Sequence, residues 1–541
     1  MGMQMKKHTL ALLFFWAVAC ASAQVVQPLS QSSNMFQRPA PLAQLPGPSH
    51  MEEYVVNGKL RLSIEDALLL ALLNNSDVNV DRAQFDIARF AVQRAHSPFD
   101  PVLTAGFAPT RSVFPSTSSL IGASTLSTLN QNSTVGFSQL FETGTALGVG
   151  FNTTRLTTNS SFATVNPSFN SGLTFSLSQP LWRKAGLFVN RAPIVIAQRS
   201  IKQSQAMFAA QLNETVARII GEYWDVVQAA ESVDVLRKSQ ERAEASYQHD
   251  KRALELGALS PLEIYRSESK VAQRKIAVLQ AEYSLKRAQD AFRQALGADL
   301  DARAGALDLE LTDKAEAPGA LAAIDLQDAL AQAVKNRPEL EAQRQQLSID
   351  DDTVRLASNN LRPDVNLSAT YGTSGVGGTV FDRNGALLSA GGFTDSLAQL
   401  GGFGFPTYGV SLQLRLPVRN NAAAADLGTA LVTKKRALYQ MRSLQQNVGI
   451  DVKNAVHDLE LAELLMAASQ SSRDLTAKTL ATEERKYELG AQTIFFVLDA
   501  QDQLAQAEQA LLQSQIAYRK ALAGVDRATG QLLEKHKLEV K

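Results

Sequence analysis

Two stretches of this chain run for about 65 residues each with helical patterning and no internal proline, from about Ala192 to Leu256 and from about Ala424 to Leu489. Pro193 falls at the very start of the first, where a helix tolerates it. At 1.5 Å per residue each stretch makes a helix roughly 97 Å long. Helices of globular domains rarely pass about 25 residues, so these read as coiled coil. The rest of the chain has to provide partners for two rods of that length.

The partners are read from an internal duplication. Ser63-Ile64-Glu65-Asp66-Ala67-Leu68, ending at Asn74-Asn75-Ser76-Asp77-Val78, returns as Asp325-Leu326-Gln327-Asp328-Ala329-Leu330, ending at Asn336-Arg337-Pro338-Glu339-Leu340. Pro101 answers Pro363. Leu254-Glu255-Leu256-Gly257-Ala258 answers Tyr487-Glu488-Leu489-Gly490-Ala491, and Gly297 answers Gly530. Ordered echoes of this kind mark a repeat. Each half then reads as a helix, a β region, a very long helix, a glycine-centred turn and a returning helix. The shorter helices are expected over Ser63–His96 and Leu262–Gly297, then Asp325–Asn360 and Thr493–Leu533. Two of them end to end match one long helix in length. The halves are 61–300 and 324–533, with 301–323 as a connector at mid-height and 534–541 as a tail.

The β regions alternate apolar and polar residues. Leu173, Phe175 and Leu177 interleave with Thr174, Ser176 and Ser178; Val410, Leu412, Leu414 and Leu416 with Ser411, Gln413 and Arg415. Val365, Leu367, Ala369 and Tyr371 repeat the pattern, as do Leu103, Ala105 and Phe107. Period 2 sends the two sets to opposite sheet faces. Strands so few, interrupted by such long helices, suit a membrane barrel with its apolar face outward, with Trp182, Tyr408 and Tyr371 as girdle aromatics. A soluble hairpin layer is the alternative. The first β region is about 25 residues longer than the second between matched prolines. The surplus, 133–157, has a hairpin pattern around Glu142-Thr143-Gly144-Thr145, and is expected to add two strands, making six instead of four.

The N-terminus carries a charged entry (Lys6, Lys7, His8), an apolar run from Leu10 to Ala19 and a small-x-small site at Ala21-Ser22-Ala23. That order predicts a signal peptide over 1–23 and a mature start at Gln24. Cys20, the only cysteine, is either removed with it or lipidated. A Pro/Ser/Gln-rich leader, 24–60, follows. Beyond the signal no run of 18 apolar residues occurs, so no helix is expected to span a bilayer.

Lys+Arg and Asp+Glu are both 53, so no basic field points to nucleic acid. The six histidines are scattered without ligand spacing, and no metal or other cofactor is expected. The glycine clusters 375–378 and 401–404 lead into no helix start and read as loops, and no nucleophile motif occurs, so no enzyme is expected.

The duplicated Ile64-Glu65-Asp66-Ala67-Leu68 with Asn74-Asn75, Gln179-Pro180-Leu181 and Leu416-Pro417-Val418 closing the β regions, and Tyr487-Glu488-Leu489-Gly490 with Val497-Leu498-Asp499-Ala500 resemble the TolC-like outer-membrane efflux family. The resemblance covers nearly all of Ser63 to Leu533. It implies a mainly α fold with β: a homotrimeric α-barrel of long coiled-coil helices topped by a shared transmembrane β-barrel, built from two internal repeats. It also implies an outer-membrane, periplasm-crossing passive conduit in an efflux pump or type I secretion system. Its partners would be a periplasmic adaptor, an inner-membrane transporter and outer-membrane lipid. A periplasmic coiled-coil adaptor or scaffold is the alternative function, and would show one helical hairpin beside compact β domains.

The resemblance further places a pore gate at the far helix turns. Tyr487 matches the family's gate tyrosine, Glu263 its acidic partner and Asp499 the second of two aspartate rings. Phe496 stands at the first ring and Gln492 at the gate arginine, so one ring and one salt bridge are missing. Phe495 or Phe496 at the axis is expected to close the pore instead. Tips at Gly257, Ala258 and Leu259 and at Gly490 and Ala491 would meet the adaptor. The plainer alternatives are a solvated charge for Asp499, coiled-coil packing for Tyr487, core for Phe495 and Phe496, and helix-reversing glycines at the turns.

Overall fold

The computed structural model describes residues 49–116, 122–257, 260–298, 307–316, 324–382 and 386–538. The expected signal peptide with Cys20, most of the leader, Ala258 and Leu259, both ends of the connector and the last three residues lie outside them.

The long helices are α3 (Leu187–Glu255) and α8 (Asn421–Glu488), of 69 and 68 residues. Each is roughly 100 Å long. α3 starts five residues earlier than expected, after Gly186 at φ 92°, which puts Pro193 inside the helix. The returning helices are α4 (Pro261–Leu296) and α9 (Ile494–Thr529). α4 packs along α3 and α9 along α8.

The two helices expected over Ser63–His96 and Asp325–Asn360 are each broken in two. α1 (Ile64–Asn74) starts on a capping box between Ser63 and Asp66, and α2 (Ser76–His96) starts on the Asn75 side chain. α5 (Leu326–Asn336) gives way to α6 (Pro338–Asn360) at Arg337. Pro338 disfavours helical geometry at the residue before it, and Arg337 is extended at φ −63°, ψ 118°. Asn75 reaches the same geometry without a proline, because its side chain accepts from the N–H groups of Asp77 and Val78. Both break residues also donate to the end of a returning helix. Asn75 Nδ2 bonds Ala295 O at 2.8 Å, and Arg337 Nε bonds Ala528 O at 2.9 Å.

Those returning helices stop at Gly297 (φ 69°) and Gly530 (φ 74°), in the left-handed conformation that glycine adopts without steric cost. A Cβ on Gly297 would lie 2.6 Å from Asn74 O, and one on Gly530 3.1 Å from Asn336 O. Close docking of helix end on helix end thus demands glycine in both halves.

The main core sits at mid-height. A small sheet of β1 (Val55–Val56), β2 (Lys59–Leu62) and β7 (Asp308–Leu311) packs there, with β2 and β7 parallel. Leu60, Leu62, Leu68 and Leu70 meet Val216, Ile219 and Ile220 of α3, Phe292 and Leu296 of α4, and Ile516 of α9. Tyr223 is buried edge-on to Trp224 and Phe292, and its hydroxyl donates to Asp313 Oδ2 at 2.7 Å. Part of the expected leader (residues 51–60) and the middle of the expected connector are thereby built into this core. The short α10 (Leu532–Lys535) buries Leu532 in it as well.

Six long strands form one antiparallel sheet: β3 (Val102–Pro115), β4 (Thr125–Leu140), β5 (Ala146–Thr158), β6 (Val165–Pro180), β8 (Asp364–Phe381) and β10 (Pro406–Arg415). Their spatial order is β3-β4-β5-β6-β8-β10, and short β9 (Leu387–Ser389) pairs the end of β8. The hairpin expected at 133–157 forms β4 and β5 and lies inside the sheet. Its turn closes through Phe141 N to Thr145 O at 2.8 Å, with Gly144 at φ 88°.

Candidate functional site

The cross-strand register sorts the sheet residues onto two faces. One row runs Leu103, Phe137, Val149, Phe175, Tyr371, Tyr408, and the next towards the helices includes Leu147, Leu177, Ala369 and Val410. That face is an apolar band. The opposite face carries Thr104, Thr134, Asn152, Thr174, Ser176, Asn366, Ser368, Thr370 and Gln413, alternating with glycine. Its only charged groups among the described strand residues are Asp364 and Arg415, cross-strand partners at the helix end. Period-2 alternation, kept in register across every strand, is what divides the sheet this way. Helix α7 (Phe393–Gly401) packs where β8 runs on past the end of β10. Ser396 Oγ lies 2.9 Å from Ser171 Oγ, and Gln399 accepts from Val376 N. A Cβ on Gly375 would lie 2.0 Å from Ser396 O, so the helix sits directly on the strand backbone.

At the other end of the helices, α3 turns into α4 at Gly257 (φ 73°) and α8 into α9 at Gly490 (φ 71°). Ser260 caps α4. Of the expected tip residues, Gly257, Gly490 and Ala491 are exposed.

Tyr487, on the last turn of α8, donates its hydroxyl to Asp250 Oδ1 of α3 at 3.0 Å. Asp250 is fully buried, and its other oxygen accepts from Ser267 Oγ of α4. His249 lies edge-on to the Tyr487 ring at 5.7 Å. Burial first, then the charge and hydrogen bond of Asp250 and the charge of Glu263, hold the Tyr487 hydroxyl well above the ordinary tyrosine range. Tyr487 is therefore a neutral donor to a carboxylate.

Within the single chain the Tyr487 hydroxyl bonds Asp250, and the expected partner Glu263 acts on it through its charge. Glu263 Oε1 faces Arg266 at 3.5 Å, while its buried Oε2 has no hydrogen-bond partner. Asp250 was nonetheless legible in the duplication. It stands seven residues before Gly257, as Glu483 stands before Gly490, so an acid occurs at the same offset in both halves.

Further ties join the two hairpins. Asp502 of α9 pairs with Lys270 and Arg274 of α4, Arg242 of α3 pairs with Glu508 of α9 at 3.1 Å, and Gln501 Nε2 bonds Ser246 Oγ at 3.1 Å. These depend on through-space neighbours, and no local pattern marks them.

On α9, Ile494, Val497, Leu498 and Leu504 are buried against Leu480, which leaves Phe495, Phe496 and Asp499 on the opposite side. Phe495 and Phe496 are 52% and 46% exposed, which excludes the core reading for both within the single chain. Their rings pack edge-to-face at 5.4 Å. Asp499 accepts from Gln503 one turn along the same helix at 2.7 Å. Gln492 lies half-buried in the turn. Asp499, Phe495 and Phe496 share one exposed face, separate from the Tyr487–Asp250 contact.

No helix among the described residues is long and apolar enough to cross a membrane, and no group of three or more His, Cys, Asp or Glu is placed to hold a metal ion. A sheet with an apolar band along one face, carried on paired helices of roughly 100 Å, has the architecture of an outer-membrane channel. The profile of the outer membrane efflux protein family matches residues 145–298 and 329–531, more than half of the chain. The chain belongs to that family, the TolC-like outer-membrane efflux channels, which are channels and not enzymes.

Among solved structures, the chain is similar to the CmeC outer membrane channel of Campylobacter jejuni, at 15% identity and TM-score 0.61 over 87% of this chain and 86% of that one. The open state of the Neisseria gonorrhoeae MtrE outer membrane channel gives 17% and 0.60 over 87% and 89%. A membrane protein from Pseudomonas aeruginosa gives 17% and 0.62 over 92% and 99%. At these identities the likeness is one of fold. A search of curated proteins gave no significant match.

Proposed function

We propose that the chain is the outer-membrane subunit of a tripartite efflux pump or a type I secretion system. It works as a passive homotrimeric conduit, with the sheet in the outer membrane and the helices in the periplasm. The observation that carries this reading is the apolar band kept in register across six strands, directly continuous with helices long enough to cross a periplasm. A sheet face of that kind is at home in lipid, where every backbone group must be paired and only a closed barrel pairs them all. The turns at Gly257 and Gly490, at the opposite end, would meet a periplasmic adaptor that connects to an inner-membrane transporter. The adaptor alternative expects one helical hairpin beside compact β domains, and finds no support in two long hairpins sharing a single sheet.

Within this reading the far turns form the gate. Tyr487 and Asp250 hold one hairpin to the other, and Phe495, Phe496 and Asp499 face the axis. Three Asp499 carboxylates around a threefold axis attract cations. Planar-bilayer recording of the purified protein beside Asp499→Ala tests the reading. Stable pores whose cation selectivity falls in the variant are expected. Pores with unchanged selectivity would return Asp499 to a solvated helix charge, and a protein that is monomeric, soluble without detergent and forms no pores would overturn the conduit.

A further inference from the structure

Both edges of the six-stranded sheet are open. Among the described residues, β3 has no partner on the side away from β4, and β10 none on the side away from β8. Left in hydrocarbon, each unpaired backbone group costs several kcal/mol, on the order of the penalty for burying an amide without a partner. Six strands are too few to close on themselves, since known membrane barrels start at about eight. Another copy of the chain must therefore cover both edges.

The strand directions allow this. β3 leaves the end of α2 and runs away from the helices, and β10 returns to α8. The strands alternate in direction from β3 to β10, so β10 of one copy meets β3 of the next antiparallel. The apolar rows reach both edges, at Leu103 on β3 and at Tyr408 and Val410 on β10. The band therefore continues across the joint. β8 runs beyond β10, and there α7 covers it, which limits the free edge on that side to β10 itself.

The circumference agrees as well. At the level next to the sheet each chain sets four helices side by side, in the order α2, α3, α6, α8. Three chains give twelve helices, and at about 9 Å between axes their ring measures about 110 Å. Eighteen strands spaced about 4.8 Å apart and tilted about 40° also measure about 110 Å around, whereas twelve would measure about 75 Å.

Building on the trimeric conduit, we propose that β10 of each copy pairs with β3 of the next to close an eighteen-stranded barrel with the helical tunnel's own circumference. Hairpin β4–β5 supplies the additional width. The bore is lined by the Thr/Ser/Asn/Gly face, whose only described charges are the Asp364 and Arg415 pairs at the helix end. Such a bore is wide and nearly neutral, and discrimination among solutes falls to the closing turns.

The test combines cross-linking with imaging. Cys20 is the only native cysteine, so introduced thiols stand almost alone. Ala105→Cys is combined in turn with Tyr408→Cys, Val410→Cys and Leu412→Cys in the full-length protein, and oxidised membranes are run on non-reducing gels. One combination is expected to shift the band up to a covalent trimer that dithiothreitol abolishes. Electron microscopy of the unmodified trimer is expected to count eighteen strands. A trimer with twelve strands and β4–β5 outside the wall overturns the proposal and leaves the conduit standing. A monomer without pores overturns the conduit itself.

Discussion

Replacing Tyr487 with phenylalanine removes one hydroxyl and leaves the ring's packing against His249. The lost bond is the 3.0 Å contact to Asp250, which joins α8 to α3 and so ties one hairpin to the other. A hydrogen bond to a charged acceptor contributes about 1.5–3 kcal/mol. Tyr487 is only half-buried, so the lower end applies, about 1.5 kcal/mol per chain. If three chains open together the closed state loses about 4.5 kcal/mol, an increase of about a thousandfold in the ratio of open to closed. Ser267→Ala is the contrast. It removes the other bond to Asp250, but within the α3–α4 hairpin, and should move the ratio by less than about tenfold. The assay is open probability in planar bilayers at fixed voltage. If Tyr487→Phe opens no more often than the wild type, or if Ser267→Ala matches it, Asp250 does not latch the two hairpins. The Tyr487 hydroxyl titrates above its ordinary value of about 10, so the protonated donor persists past that value and the contact is lost only as pH rises beyond it.

Three further expectations concern two glycines and a histidine. Gly297→Ala forces an alanine to φ 69° and its Cβ to 2.6 Å from Asn74 O, and should lower stability by about 2–4 kcal/mol, read as a shift in the denaturant midpoint. Gly257→Ala, at φ 73° with open space around it, should lose only the conformational share, about 1–2 kcal/mol. Burial, opposed by Asp526 and Glu65 and aided by Lys535, holds the His536 imidazole below its ordinary range. The unfolded chain binds that proton more readily, so the contribution is complete above about pH 6.5 and is lost as pH falls through the lowered folded value. The thermal midpoint should drop on acidification to about pH 5, and less so in His536→Gln. An equal drop in both would place the acid sensitivity elsewhere.

Local chemistry determined much of this protein. A helical pattern free of internal proline over about 65 residues can only be a rod, and α3 and α8 are rods of 69 and 68 residues. Period-2 alternation determined the strands and their two faces, and the surplus before Pro180 marked the β4–β5 hairpin. Pro338 announces the break at Arg337. Asn75 makes the same break by bonding its side chain to the next turn, an alternative the sequence offers at many asparagines and the packing selects here.

Tertiary structure decided what depends on neighbours distant in the chain. Within the single chain Asp250, rather than Glu263, bonds Tyr487 because superposed helix turns set which carboxylate lies under the hydroxyl. Phe495 and Phe496 are apolar, yet they face outward, because Ile494, Val497 and Leu498 already occupy the side of α9 towards α8. Residues 51–60 have a leader's composition, but Met51 and Leu60 find a buried place beside α3. Alternation assigns each strand residue to a face but says nothing of which strand lies beside which. Strand order is set by backbone pairing across more than 180 residues, as between Ser178 and Ser368, and it leaves β3 and β10 at the open edges.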